Sequence, residues 1–204
     1  MRHNPHHLAD DPEIVRRLIR EYPWGILVSS HDDQLVASHY PVLLDEECDE
    51  LAIFTHVGRP DEEAHGFGRR EILLIVQGAH GYVSPSWYAP GATRAPTWNF
   101  TVAHCYGVPE ILCEDANLRR LARLMEHFER HVAQPMTLDL DWGTPVAKGT
   151  VGIRLPITHF QCKVKMSQDK DPATQGQVMQ ALRAPGPYSN PQLAFEMERA
   201  LAGE

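Results

Sequence analysis

Apolar positions recur along the chain in two periods, and each change of period marks an element. Ile14, Val15, Leu18 and Ile19 share one helical face. Asp10-Asp11-Pro12-Glu13 ahead of them supplies capping acids and a first-turn proline, so the spacing predicts a helix over about 11–21. Trp24 to Ser30 then reads as a strand, 31–34 as a hairpin turn and Leu35 to Leu44 as the returning strand, with Pro41 marking an edge or a bulge. An acidic turn, 45–50, leads to a strand over 51–57, and 58–68 lacks strand alternation and reads as a loop or a short helix. Ile72 to Val76 is apolar throughout, as a buried central strand would be. From Asn99 to Leu112, Phe100, Val102, His104, Tyr106 and Val108 alternate with Thr101, Ala103, Cys105 and Gly107 until Pro109 interrupts the ladder. Leu118, Leu121, Met125, Phe128 and Val132 return to helical spacing, with Asp115 as a cap, over about 115–132. The stretch 133–148 reads as a Pro/Gly-punctuated connection, and 149–166 as two strands meeting near Pro156. Asp171-Pro172 and Asn190-Pro191 each open a C-terminal helix.

Strands here are not alternating with crossover helices, so the order implies a mainly β (α+β) fold, a barrel or sandwich of antiparallel strands with peripheral helices. At 204 residues the chain is expected to be one domain, 1–204, with a C-terminal helical extension over about 171–204.

Between the strands of 72–107 lies a loop dense in rings and polar groups, carrying Ser84-Pro85-Ser86-Trp87-Tyr88 and Pro96-Thr97-Trp98-Asn99-Phe100. Large rings left in water forgo burial worth about 1.5–3 kcal/mol each. The cover is the protein's own core, a second subunit or a flat cofactor.

Composition narrows the partners. A net charge of −8 disfavours generic attraction to nucleic-acid phosphates. No apolar run approaches the roughly 18 residues of a membrane span, and the N-terminus lacks the apolar core of a secretory signal, so a cytoplasmic protein is expected. Cys48, Cys105, Cys113 and Cys162 form no CxxC pair and are expected to be reduced thiols.

Three groups of residues carry candidate chemistry. Lys163, Lys165 and Ser167 sit two apart near a strand end, where one face would present two cations and a hydroxyl to a phosphate or carboxylate, or simply to solvent. His56 and His65 flank the irregular stretch that contains Arg59; each is either a ring-facing or metal-ligating imidazole or an ordinary surface one. His3, His6 and His7 cluster at a terminus and read as incidental. A serine hydrolase built on Ser84 or Ser86 is not supported, because there is no GxSxG elbow and Ser86 lies between Pro85 and Trp87.

The runs 77–88 (QGAHGYVSPSWY), 96–104 (PTWNFTVAH) and 163–168 (KVKMSQ), joined by Pro5-His6-His7-Leu8, 38–44 (SHYPVLL) and Thr55-His56-Val57-Gly58-Arg59, resemble the PaiB-type family, whose members are described as FMN-binding negative transcriptional regulators. The resemblance spans nearly the whole chain. It implies a six-stranded antiparallel split β-barrel of the flavin-reductase and pyridoxamine-phosphate-oxidase kind, forming a homodimer with cofactor sites between subunits. Arg59, Thr97, Lys163, Lys165 and Ser167, with Gln168 beside them, are then the candidates to hold a phosphate, and Trp87 and Trp98 to wall a ring. A similar branch comprises the piperazate synthases, which hold haem and close an N–N bond in an N-hydroxylated amino acid; the Asn99-Phe100-Thr101 run looks like that branch. On that reading His65 or His56 ligates the iron, and Thr97 and Asn99 position a small-molecule substrate. The chain departs from the family where an Asn-Pro-x-Trp pattern is usual and Pro60 to His65 stands instead. The resemblance therefore implies FMN or haem, with a DNA-binding regulator without catalysis as the alternative; no helix shows the basic face which that alternative needs.

Overall fold

The computed structural model describes residues 1, 4–92 and 95–203. Two extended residues, β1 (Leu8–Ala9), precede α1 (Pro12–Glu21), whose Val15, Leu18 and Ile19 are buried as the helical spacing requires. β2 (Trp24–His31) and β3 (Gln34–Pro41) form the expected hairpin, turning through Asp32 and Asp33, both at positive φ. Val42 separates β3 from β4 (Leu43–Leu44), so the returning strand breaks next to Pro41. β5 (Ala52–Gly58) follows, and the irregular stretch proves to be a helix, α2 (Arg59–His65). It ends at Gly66 in the left-handed conformation, φ 60°, whose N–H returns to the carbonyls of Glu62 and Glu63.

β6 (Ile72–Val83) runs well past the apolar segment that announced it, and β7 (Thr97–Gly107) returns with Asn99, Thr101, Ala103, Cys105 and Gly107 on its buried side. After the short β8 (Glu110–Ile111) comes α3 (Glu114–Glu129), which Cys113 rather than Asp115 precedes as cap; Asp115 lies inside the first turn. The expected connection over 133–148 contains α4 (Leu140–Gly149), started by Asp139, whose carboxylate accepts from the N–H of Asp141. β9 (Thr150–Pro156), β10 (His159–Lys165), α5 (Pro172–Arg183) and α6 (Pro191–Ala202) complete the order, the two last helices capped by Asp171 and Asn190.

Six strands form one open sheet in the order β1-β10-β7-β6-β2-β3, and four form another, β4-β5-β9-β8. β2 lies antiparallel to both β3 and β6, and β1 antiparallel to β10. By packing, the described chain divides into two compact units. One comprises Met1–Ile14, Gln77–Ala103 and Gln161–Glu204, and the other Val15–Val76 and His104–Phe160. Among the described residues no helix is long and apolar enough to cross a membrane.

The second unit holds the four-stranded sheet, against which α3 lays Leu124 beside Leu43 and Phe54. An ion network clamps the same region. Asp45, with a nearly buried side chain, accepts from Arg154 Nε at 2.8 Å and faces Arg120 Nη2 at 2.8 Å, while Arg154 also reaches Glu50 and Glu110. Gly107 ends β7 so close to the returning chain that a Cβ there would stand 1.9 Å from the carbonyl oxygen of Pro156. Gly107→Ala is therefore expected to destabilise the fold by about 2–3 kcal/mol, since backbone rather than a side-chain tip must give way; a urea denaturation midpoint checks it.

Candidate functional site

In the first unit, the end of β10 is built as a tight polar turn. Gln168 Oε1 accepts from the N–H of Met166 at 2.7 Å, and its Nε2 donates to the carbonyl of Val164 at 2.7 Å. This folds the chain back, and Ser167 takes φ 63°, an uncommon conformation for a residue with a Cβ. The expected alignment of Lys163, Lys165 and Ser167 on one strand face therefore ends at Lys165. Ser167 is buried, and its hydroxyl exchanges hydrogen bonds with the Asn99 amide at 2.9 and 3.2 Å. Asn99 is fully buried and also lies 3.4 Å from Met197 Sδ. It ties β7 to the β10 turn and to α6, which is a clasp and not a group presented to a substrate.

Lys163 and Lys165 behave differently from surface lysines. Lys163 is only 9% exposed, with its ammonium 5.6 Å from the Phe100 ring centroid. Lys165 donates to Thr97 Oγ1 and, at 2.7 Å, to the carbonyl of Trp98. Burial lowers the affinity of Lys165 for its proton; Asp169 opposes this, while Lys163 and Lys170 add to it.

His7 joins these lysines. Asn4 caps a short 3-10 turn, accepting from the N–H of His6, and the turn delivers His7 to a buried position just before β1 pairs Leu8 with Lys163. Its Nδ1 is buried without a hydrogen-bond partner. Burial holds its imidazole below the ordinary range; Asp169 opposes, Lys165 and Lys163 reinforce, and a hydrogen bond with Gln168 opposes. The reading of the N-terminal histidines as incidental fails for His7, whose burial comes from a partner strand at the other end of the sequence. His3 lies outside the described residues. Among the described residues no cluster of His, Cys, Asp and Glu is suited to a metal ion.

The same unit contains a cavity of about 450 Å³ lined by His80, Tyr82, Trp98, Leu182, Tyr188 and Asn190. Trp98 is more than half exposed, lies nearly parallel to His80 at 6.4 Å between centroids, and meets Tyr82 edge-on at 6.3 Å. Tyr188 closes on Tyr82 at 5.4 Å, and Trp87 meets Tyr188 edge-on at 6.2 Å. Asn190 fixes this wall, accepting from the N–H of Leu193 at the start of α6 and donating to the carbonyl of His80. Tyr82 and Trp87 thus meet Tyr188, between the two C-terminal helices, a contact that periodicity alone did not reveal, while Trp98 keeps an open face.

The second unit holds the remaining candidates. Arg59 opens α2, is exposed, and donates to the carbonyl of Lys148 at 2.6 Å. His65 is buried, stacked on Phe67 at 4.7 Å, with Nδ1 2.8 Å from Ser29 Oγ and Nε2 3.1 Å from Ser38 Oγ. Both ring nitrogens of His65 thus lie within hydrogen-bond distance of hydroxyls. His56, on β5 opposite Gly152, instead keeps a buried Nδ1 without a partner.

Burial lowers the affinity of both imidazoles for a proton, with Asp61 opposing it at His65. The unfolded chain therefore takes up protons at these residues first, and their contribution to stability is lost as pH falls below about 6.5. The unfolding free energy is expected to decline between pH 7.5 and 5.5, with a shallower slope in His56→Gln; urea titrations across that range check it.

Comparison with known proteins shows the family and the fold. A family model described as "Putative FMN-binding domain" matches residues 1–159. The chain is 26% identical over 193 residues to "Protease synthase and sporulation protein PAI 2" of Bacillus subtilis (strain 168), the match covering 93% of this chain and 92% of that protein. Among solved structures it is similar to the FAD and haem binding protein from Mycobacterium smegmatis, with a TM-score of 0.62 at 14% identity over 83% of this chain and 78% of that one. It is likewise similar to the flavocytochrome Anf3 from Azotobacter vinelandii, with a TM-score of 0.62 at 15% identity over 84% and 75%. Those two likenesses show the fold, an open antiparallel split barrel with peripheral helices. With its sequence matched over residues 1–159, the chain belongs to the FMN-binding domain family that the PaiB-type motifs implied.

Proposed function

We propose that this protein binds FMN as a homodimer, with the phosphate held at the Lys163–Lys165 end of β10 and the ring system against the aromatic cavity beside it. The observation that carries this reading is the pairing of a largely buried cationic strand end with rings on the neighbouring strand, joined where the Lys165 ammonium donates to the carbonyl of Trp98. The donor set fits a phosphate monoester. Two lysines and a buried imidazole with an unpartnered nitrogen lie there, with Asp169 as a nearby carboxylate. Thr97 positions the Lys165 ammonium, Gln168 shapes the turn, and Trp98 supplies the stacking face. Arg59 belongs to the other unit and is proposed to act in the partner subunit's cofactor site. FMN, when bound, supplies reversible one- and two-electron transfer. The chain's own residues bind it, orient it and shield one side from water.

The reading is tested by absorption and fluorescence during titration of the purified protein with FMN and, separately, with haem. FMN is expected to bind with quenched fluorescence, and Trp98→Ala to lose most of the quenching and about tenfold in affinity. A Soret band that shifts on adding haem, with no change on adding FMN, overturns it.

A haem-dependent reaction of the piperazate synthase type, on a small N-hydroxylated amino acid, is the second reading. It is favoured by one observation, the unpartnered Nδ1 of His56, an imidazole that burial keeps neutral and so able to ligate. On this reading His56→Ala abolishes the Soret shift. A DNA-binding regulator without catalysis faces the chain's net charge of −8, and a salt-dependent gel shift discriminates it.

A further inference from the structure

We infer that His7 is an anion-recognition residue, completing with Lys163 and Lys165 a binding site for a small oxyanion, a phosphate monoester or a carboxylate. The inference deepens the cofactor reading and rests on it for the identity of the anion, though not for the site.

The argument begins with burial. His7 is 6% exposed and Lys163 9%, and a polar or charged group is taken from water at such positions only when something compensates it. The backbone of His7 is accounted for: its N–H closes on the carbonyl of Asn4 at 3.0 Å. The ring is accounted for only in part, because Nδ1 is buried with no partner. Buried polar atoms in folded proteins almost always have one, so an orphan next to the residue that pairs with Lys163 marks a place where a partner binds.

The surroundings fix its chemistry. Lys163 and Lys165 come from β10, with Asp169 and Lys170 from the turn that follows. Asp169 is held by Lys170 at 2.9 Å, so its carboxylate is already engaged by a cation of its own turn. A cation or a hydroxyl donor would meet two ammonium groups here. An oxyanion meets three donors, because a neutral imidazole protonated on Nδ1 donates from that nitrogen without any change of charge. The turn itself is rigid, pinned by Gln168 to the backbone at Val164 and Met166 and by Gln175 to the carbonyls of Ser167 and Lys170. A rigid, dehydrated turn that carries cations is what strengthens charge-assisted hydrogen bonds.

The experiment has two arms on the full chain. In the first, inorganic phosphate, acetate and chloride are titrated at matched ionic strength while the His7 imidazole is followed by nuclear magnetic resonance. A saturable shift of the His7 signals with phosphate or with acetate, and none with chloride, is expected; the ion that saturates first says whether a phosphate or a carboxylate is the natural group. No saturable shift with either overturns the site. In the second arm, FMN and riboflavin, which differ by the phosphate, are titrated against the parent, His7→Phe and His7→Gln. FMN affinity is expected to fall about tenfold in His7→Phe and to recover in part in His7→Gln, with riboflavin affinity unchanged. Equal FMN affinity in all three proteins overturns the role of His7 while leaving the FMN reading standing. A phosphate response in a protein that binds neither FMN nor haem upholds the anion site and removes the cofactor reading instead.

Discussion

Asp45→Asn lowers the free energy of unfolding by about 3–5 kcal/mol, because it takes the charge from the buried carboxylate that faces two largely buried guanidinium groups. The Asp45 side chain is 3% exposed, and those of Arg120 and Arg154 are 13% and 16% exposed. Arg154 keeps Glu50 and Glu110 and Arg120 keeps Glu47, all three largely solvated, so the loss falls mainly where Asp45 joins the two arginines across α3 and β9. Burial by itself pushes the Asp45 carboxyl up, but Arg154 and Arg120 outweigh it and hold the carboxyl below its ordinary range. A depressed carboxyl stabilises the fold fully above the unfolded value, about 4, and loses that contribution as pH falls through the folded value. The parent protein should therefore show a steep acid unfolding transition below about pH 4, and the variant a shallower one from a lower starting stability. Urea unfolding at pH 7, repeated towards pH 3, reads both effects. A variant as stable as the parent would mean that the network is idle.

Lys165→Met weakens FMN binding about 10- to 100-fold and leaves riboflavin binding unchanged. A hydrogen bond to a charged group is worth about 1.5–3 kcal/mol, which converts to that range. The effect exceeds that expected of a surface lysine because Thr97 Oγ1 and the carbonyl of Trp98 hold the ammonium in place before any ligand arrives. Equal loss for FMN and riboflavin would show that the substitution had disturbed the neighbouring strand and not a phosphate contact.

Much of this fold was legible because periodicity and caps agree. Asp171-Pro172 and Asn190-Pro191 start helices for local reasons, with side chains that accept from Thr174 and Leu193 N–H groups. α4 escaped detection because Gly143 and Pro145 interrupt it and apolar positions do not repeat along it. β6 was read short because Gly78, Ala79 and Gly81 carry too little side chain to show alternation. At the site, Lys163 and Lys165 were visible as a spacing of two along a strand. Ser167 was assigned to the same face, but no periodicity encodes the left-handed turn that sends its hydroxyl to Asn99. His7 was passed over for a different reason. Nothing within ten residues of it signals burial, which arises from a strand pairing that only the folded chain displays.

That pairing also orders events in time. β1 meets β10 across about three quarters of the sequence, Leu8 with Lys163. A contact of such separation carries a large loop-closure entropy and forms only after the strands between have been placed. Anion affinity should accordingly appear late in refolding, after far-ultraviolet structure is complete.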